Sequence, residues 1–272
     1  DFEKYAKEIP CINAVVPSGP YTVVDFHYAG GVMNVMKMLE SKLYTDVPSM
    51  YGNTWADMLS RVKAQENKVI HSLEKPLFNE PGLKILRGNL SPNGAIVRPT
   101  AVYDEVKYMK GKAKVFEGDR PAFEAIMAGE IVPGDIIVIR YEGCKGAPGM
   151  KELMLSIDAL IGLGLDKSVG LISDARFSGF NYGAIIGHVS PEAYDGGNIA
   201  LVENGDEIVI DIPNGEVSML VSEEELERRR AAWVCPPLKE EKGCLNIFAK
   251  MCRPAEEGGA MQPWDLDAKF HR

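Results

Sequence analysis

Between Pro76 and about Val221 the chain is cut into short apolar runs by glycine, proline and asparagine. Ile85-Leu86, Ala95–Val97, Ala113–Phe116, Ile136–Ile139, Val169–Ile172, Ile199–Val202, Ile208–Ile212 and Val217–Val221 have the length and composition of strands. Asn204-Gly205 and Asn214-Gly215 lie between apolar runs and predict hairpins, because type I′ turns need two residues with positive φ. Around the second turn, Ile208, Ile210 and Ile212 alternate on one face, as do Val217, Met219 and Val221 on the return. About eight such strands predict a closed or nearly closed β-barrel carrying a few helices, Arg120–Met127 among them.

The flanks read differently. Residues 1–75 are expected to be mainly helical. A loop at Asp25–Gly31 leads to a helix over Val32–Ser41, with Val32, Val35, Met36 and Leu39 as its apolar stripe. A second helix starts at a cap-like Thr54, with Trp55, Met58, Leu59 and Val62 turned inward. Beyond the barrel, Ser222–Glu225 is a capping box that opens a helix to about Trp233. Glu224–Arg228 and Glu225–Arg229 are favourable i,i+4 pairs on what reads as a solvated face. The stretch from Pro236-Pro237 to Arg272 is polar, weakly patterned and expected to wrap the surface. The expected architecture is an α/β remnant over 1–75, then a mainly β, barrel-like domain over 76–272 with flanking helices and an irregular tail.

Composition narrows the function classes. A formal net charge of −9 over 272 residues, with no basic block, argues against nucleic acid, whose phosphates need clustered Lys and Arg. No apolar run reaches spanning length, which argues against a membrane. The five cysteines, Cys11, Cys144, Cys235, Cys244 and Cys252, are an odd count that predicts reduced thiols and a cytoplasmic setting. The chain opens at Asp1 without a charged-then-apolar leader and reads as a processed or truncated piece.

Two stretches invite chemistry. Asp174-Ala-Arg-Phe-Ser-Gly179 follows a buried-type strand and sets the hydroxyl of Ser178 between the cation of Arg176 and the bare backbone of Gly179. Glycine there lets a ligand approach the main chain, and free N–H groups suit an anion. The same residues also suit a surface turn with an N-capping serine. The second stretch, Arg140–Glu152, holds three glycines and a proline before a helix expected near Met150. It lacks the spacing of a Walker loop. Glu142 and Glu152 are hard oxygen donors of the kind Mg²⁺ takes, and Glu152 is equally explained as a first-turn helix carboxylate. Cys144 in this loop is either a reactive thiol or a plain small residue. His188 is either an acid–base group or a hydrogen-bonded structural histidine. Cys235, Cys244 and Cys252 lack the C-x-x-C spacing of a zinc or iron–sulfur site, and no Gly-x-Ser-x-Gly elbow is present.

Taken together, Arg87–Ala95, Pro133–Gly143, Gly146-Ala-Pro-Gly-Met150, Asp174–Gly179, Gly187–Ala193, Gly196-Gly197 and Leu220–Trp233 resemble the dihydroxyacid dehydratase / 6-phosphogluconate dehydratase family. Pro17-Ser-Gly19 and Asp25–Gly31 extend the likeness toward the N-terminus, and it is weakest after about residue 235. The resemblance implies a hydro-lyase that converts a 2,3-dihydroxy acid or sugar acid to a 2-keto acid. It implies an iron–sulfur cluster acting on the 3-hydroxyl, Mg²⁺ on the carboxylate and 2-hydroxyl, and a serine alkoxide that takes the C2 proton. By motif, Ser178 is that base and Glu152 a Mg²⁺ ligand. Arg176, Gly179 and Phe180 are then substrate-binding residues, with Phe180 lining the pocket.

The likeness also implies what lies elsewhere. The family's cluster cysteines belong to an N-terminal half that precedes the matched region, so this chain reads as the end of the N-terminal α/β domain followed by the C-terminal barrel. The expected partners are that metal-binding half, a small dihydroxy acid and a second copy in a homodimer. Cys144 stands where the family usually has proline. Phe180-Asn181 stands where small or hydroxyl residues are common. A stand-alone, non-catalytic barrel that binds a small acid or a partner subunit is the competing expectation.

Overall fold

The computed structural model describes residues 2–261. Contacts divide the chain into two units, Asp1–Lys84 with Arg98–Ala101, and Ile85–Val97 with Val102–Arg272. In the first, helices α1 (Phe2–Glu8), α2 (Val23–Tyr28), α3 (Gly31–Met38) and α4 (Trp55–Leu59) are short. Thr22 and Thr54 start α2 and α4 with complete capping boxes. Each hydroxyl accepts from the N–H of Asp25 or Asp57, and that carboxylate accepts from the threonine N–H.

The expectation of a mainly helical stretch is corrected. Prolines such as Pro17 and Pro20 interrupt it, and much of it is loop pinned by isolated bridges, Cys11 to Phe78 and Asn13 to Ile70. The apolar stripe of α3 is corrected too, since Val32 is 63% exposed and the buried residue is Asn34. Its amide donates to the carbonyls of Ala29 and Gln65 and accepts from the Gln65 N–H. A polar side chain that satisfies three backbone groups therefore holds this helix.

The second unit carries strands β1 (Lys84–Gly88), β2 (Ser91–Val97), β3 (Tyr108–Phe116), β4 (Ile136–Ile139), β5 (Gly170–Ser173), β6 (Ile185–Ser190), β7 (Glu207–Asp211) and β8 (Glu216–Met219). They close into a barrel in the order β1-β2-β6-β5-β4-β3-β7-β8. Strands β3, β4, β5 and β6 run parallel, with Ile136 opposite both Ala113 and Gly170. Parallel neighbours need crossovers, and α5 (Asp119–Met127) and α6 (Leu155–Gly162) supply the first two.

Period-two alternation explains why β4 is buried on both faces. Ile136 and Val138 enter the barrel core with Ile172, Ile186, Ile208, Ile210 and Val217. Ile137 and Ile139 face the other way, into a second core with Ala122, Ile126, Ile157 and Leu160 of the two helices. Each fully buried isoleucine contributes about 2–3 kcal/mol.

The Asn214-Gly215 hairpin forms as expected, with Asp211 opposite Glu216 and Ile210 opposite Val217. Gly215 has φ of 75°, which a side chain resists. The Asn204-Gly205 hairpin is corrected. Ile199–Val202 is no strand, because Asn198–Leu201 makes a 3₁₀ turn. The Asn204 side chain accepts instead from the Val115 N–H at 2.7 Å. The place in the barrel is filled by β6, which sequence patterning left among the glycine-rich segments.

After the barrel, α7 (Glu223–Ala232) starts on Ser222, whose hydroxyl accepts from the Glu225 N–H. The Glu225–Arg229 pair forms at 2.9 Å, but Arg228 pairs with Glu225 rather than Glu224. Arg229 is not on a solvated face. Its side chain is 10% exposed and bonds Asp206 at 2.6 and 3.0 Å. Helix α8 (Cys244–Met251) follows. The expected tail runs past residue 261, beyond the described residues.

Candidate active site

The carboxyl ends of parallel strands β4, β5 and β6 open onto three loops, the position where ligands collect in sheets of this kind. Their anchor is Asp174, the first residue after β5 and 1% exposed. Its carboxylate accepts from the N–H groups of Tyr141 at 3.1 Å, Glu142 at 3.0 Å and Ala193 at 2.9 Å. One side chain thus ties the loop after β4 and the loop after β6 to the loop that carries Ser178. Burial pushes Asp174 up to about 6, and the three N–H donors oppose that rise.

Glu192 is the second anchor. It accepts from the Lys145 N–H at 2.9 Å, and Lys145 pairs with Asp195. Burial first, and then the charge of Asp174, raise Glu192 to about 8. Gly143 is required where this carboxylate lies, since a Cβ there would stand 1.8 Å from Glu192 Oε2. Glu142 is also buried, and Lys239 and Lys151 reach its two oxygens at 3.1 and 3.2 Å. The two lysines balance the charge of the carboxylate that sequence reasoning offered as a metal donor, while its buried Oε2 accepts no hydrogen bond.

The loop after β4 reaches Glu152, which forms an isolated parallel bridge with Arg176. The next N–H, of Leu153, donates to the Arg176 carbonyl at 3.0 Å. The helix expected near Met150 begins only at Leu155, so Glu152 is not a first-turn carboxylate. Glu152 is exposed, two residues from Met150, whose φ is 55°. Among the described residues the non-glycine positions with positive φ are Tyr141, Met150 and His188, all in these loops or on β6. Backbone held in that region concentrates where a site over-determines it.

Ser178 is half-buried, and its hydroxyl accepts from the Phe180 N–H at 3.2 Å, closing a small turn. Gly179 beside it is exposed. Phe180 is 66% exposed, and its ring meets that of Tyr182 in a T-shaped pair with centroids 6.4 Å apart.

A cavity of about 220 Å³ opens beside this turn. Cys144, Gly149 and Met150 line it from the loop after β4, with Arg176 and His188 from the neighbouring loop and strand. The last wall is Phe248, Ala255, Gly258 and Gly259, so the stretch expected to wrap the surface builds part of the pocket. His188 is kept below its ordinary range by burial and then by Arg176, which leaves a neutral imidazole near pH 7. Cys144 is buried and pushed up to about 12, chiefly by burial, so its thiol is inert rather than reactive.

Of the residues picked from sequence, the fold brings Glu152 beside Arg176, and Arg176 into the cavity with His188. Ser178, Gly179 and Phe180 follow on the same loop and are not among the cavity's lining. Sequence reasoning missed Asp174 as an anchor, Glu192 and Phe248. An Asp directly after an apolar strand was the available signal for the first, and nothing local marked Glu192. Among the described residues no group of three or more His, Cys, Asp or Glu side chains converges to hold a metal.

Known proteins are similar to this chain along most of its length. The model for the dihydroxy-acid/6-phosphogluconate dehydratase C-terminal family matches residues 68–259, and that for the N-terminal family matches residues 1–58. A dihydroxy-acid dehydratase of Clostridium novyi is 45% identical over 265 residues, covering 96% of this chain and 48% of its own. Those of Pyrobaculum neutrophilum and Methanosarcina barkeri are 43% and 45% identical, over 97% and 95% of this chain and 47% of each relative. The chain therefore spans about half the length of the curated relatives it matches. With both family models placed along it in order, the chain belongs to the dihydroxy-acid/6-phosphogluconate dehydratase family.

Proposed function

We propose that this chain supplies the proton-abstracting side of a dehydratase that converts a 2,3-dihydroxy acid or sugar acid to a 2-keto acid. The observation that carries the reading is the backbone bridge between Glu152 and Arg176, which puts the loop of the proposed metal ligand against the loop of the proposed base. Arg176 holds the substrate carboxylate by charge-assisted hydrogen bonds. The backbone at Gly179 admits the substrate close to Ser178, and Phe180 forms the outer edge. Ser178 takes the C2 proton. The C2 proton and the 3-hydroxyl leave together as one molecule of water, and the enol that remains tautomerises to the 2-keto acid. A serine hydroxyl is too weak a base at its free pKa, so Arg176 two residues away is part of its activation.

Glu152 suits Mg²⁺: it is exposed, makes no ion pair among the described residues, and this ion commonly takes only one or two protein carboxylates. Bound there, Mg²⁺ would neutralise charge on the substrate carboxylate and 2-hydroxyl. An iron–sulfur cluster does not fit the described cysteines. Cluster ligands are several thiolates converging on one point, whereas no group of three or more His, Cys, Asp or Glu side chains converges among the described residues, the five cysteines included. The chemistry assigned to this chain therefore uses no cluster ligand of its own. A homodimeric, cytoplasmic enzyme joined to a metal-binding half belongs to the same reading.

The test is exchange of the C2 hydrogen with solvent deuterium, followed by NMR in a catalytically complete preparation. Ser178→Ala should abolish exchange while the substrate still binds. Retained exchange refutes the assignment. Binding of the acid with no exchange in the unaltered protein favours a non-catalytic barrel.

A further inference from the structure

We propose that Phe248, contributed by α8, is the residue that sets which substituent the substrate carries on C3. The inference rests on the dehydratase reading of the site and deepens it. Among the described residues the cavity has one cationic side chain on its wall, Arg176, which provides for one carboxylate. Opposite in character stand Cys144, Met150, Phe248 and Ala255. Cys144, Met150 and Cys252 form a buried cluster, and Phe248 and Ala255 pack against it. The Cys144 S–H donates to the Met150 sulfur at 3.7 Å, so both sulfurs are committed to that apolar wall.

The segment that carries this wall is fixed at several points. Asn93 donates to Glu256 at 2.8 Å, and the Arg253 N–H donates to the Ala260 carbonyl at 2.8 Å. A Cβ on Gly259 would stand 3.0 Å from Cys144 Sγ, which marks how closely the segment lies on the loop after β4. Phe248 is thus a large side chain on a held backbone. With the carboxylate end held at Arg176, C3 is two bonds away inside the same cavity of about 220 Å³, whose apolar side chains are then the contacts on offer to its substituents. An alkyl group is matched there. A phosphate or a row of hydroxyls loses its hydration against this apolar wall, and His188 is the one neutral hydrogen-bonding side chain among the described lining that can replace part of it.

The experiment compares kcat/KM of the catalytically complete enzyme for two 2,3-dihydroxy acids, one with methyl groups on C3 and one with a longer alkyl chain. Phe248→Ala should raise the long-to-short ratio by about tenfold or more, the discrimination that one or two methylenes carry in an apolar pocket. Phe248→Tyr keeps the ring volume and so the fold. It should lower kcat/KM for the alkyl acids and raise relative activity on a polyhydroxy acid of equal length. Ratios within twofold of wild type in the Tyr variant, and in the Ala variant if it folds, overturn the inference while leaving the dehydratase reading intact. A wild-type enzyme that dehydrates none of these acids overturns both.

Discussion

Replacing Asp174 by Asn removes one charge from the point where three loops meet, and the structure fixes how the effect depends on pH. Burial raises the folded-state pKa of Asp174 from an ordinary 3.8 to about 6. Between those values the folded protein holds a proton that the unfolded chain has released, so stability falls as pH rises through the window. Two pKa units correspond to about 3 kcal/mol. Well below pH 3.8 the carboxyl is neutral in both states and the penalty is absent, and near pH 4 it is still small. Asn carries no such titration, but its amide keeps only one acceptor. Placed to serve Tyr141 and Ala193, which bond the same oxygen, it turns its NH₂ toward the Glu142 N–H. An unmade bond at that buried donor costs about 1–3 kcal/mol. Asp174→Asn should therefore be less stable than wild type by that amount near pH 4, and equal or more stable at pH 7. Urea unfolding followed by circular dichroism at the two pH values reads the difference, in which groups shared by both proteins largely cancel. Glu192 is the exception that strengthens the effect, because Asp174 is the second cause of its raised pKa. Parallel stability curves, or a variant that loses ground as pH rises, would refute the reasoning.

Gly143→Ala drives a methyl into Glu192 and should lower stability by about 2–4 kcal/mol, seen as a drop in Tm at pH 7. Arg229→Leu strands Asp206, whose side chain is only 11% exposed, and should cost about 3–5 kcal/mol in urea titration. Ile210→Ala opens the barrel core and should cost about 2–5 kcal/mol by the same assay. Iodoacetamide at pH 8, followed by mass spectrometry, should label exposed Cys235 and Cys244 well before buried Cys144, whose thiol holds its proton up to about 12. Early modification of Cys144 would contradict its burial.

Strands announce themselves when their side chains alternate or are uniformly β-branched, which is why Ile136–Ile139 and Ile208–Ile212 could be read directly from sequence. Ile199–Val202 looks the same locally, but tertiary contacts wind it into a 3₁₀ turn, and β6 took its place despite a glycine and a histidine in its interior. The motif loops were legible because glycine, a cation and a hydroxyl cannot cluster after a buried strand without consequence. What holds those loops was not legible. Asp174 and Glu192 act through backbone N–H groups, and backbone partners leave no mark on residue identity at a distance. Phe248 was hidden for a related reason: a weakly patterned segment gives no sign of what it will pack against until the loop after β4 is in place.

The barrel closes where β8 meets β1, through a parallel pairing of Arg87 with Glu216. Such a seam joins the earliest strand to the latest, so no local hairpin can supply it. During synthesis β1 leaves the ribosome long before its partner exists and must wait with one edge unpaired. Closure is then a late, long-range event, which slows folding and exposes the half-built sheet to aggregation. A chaperone that shields that open edge should raise the yield of this protein more than one that acts on the finished fold.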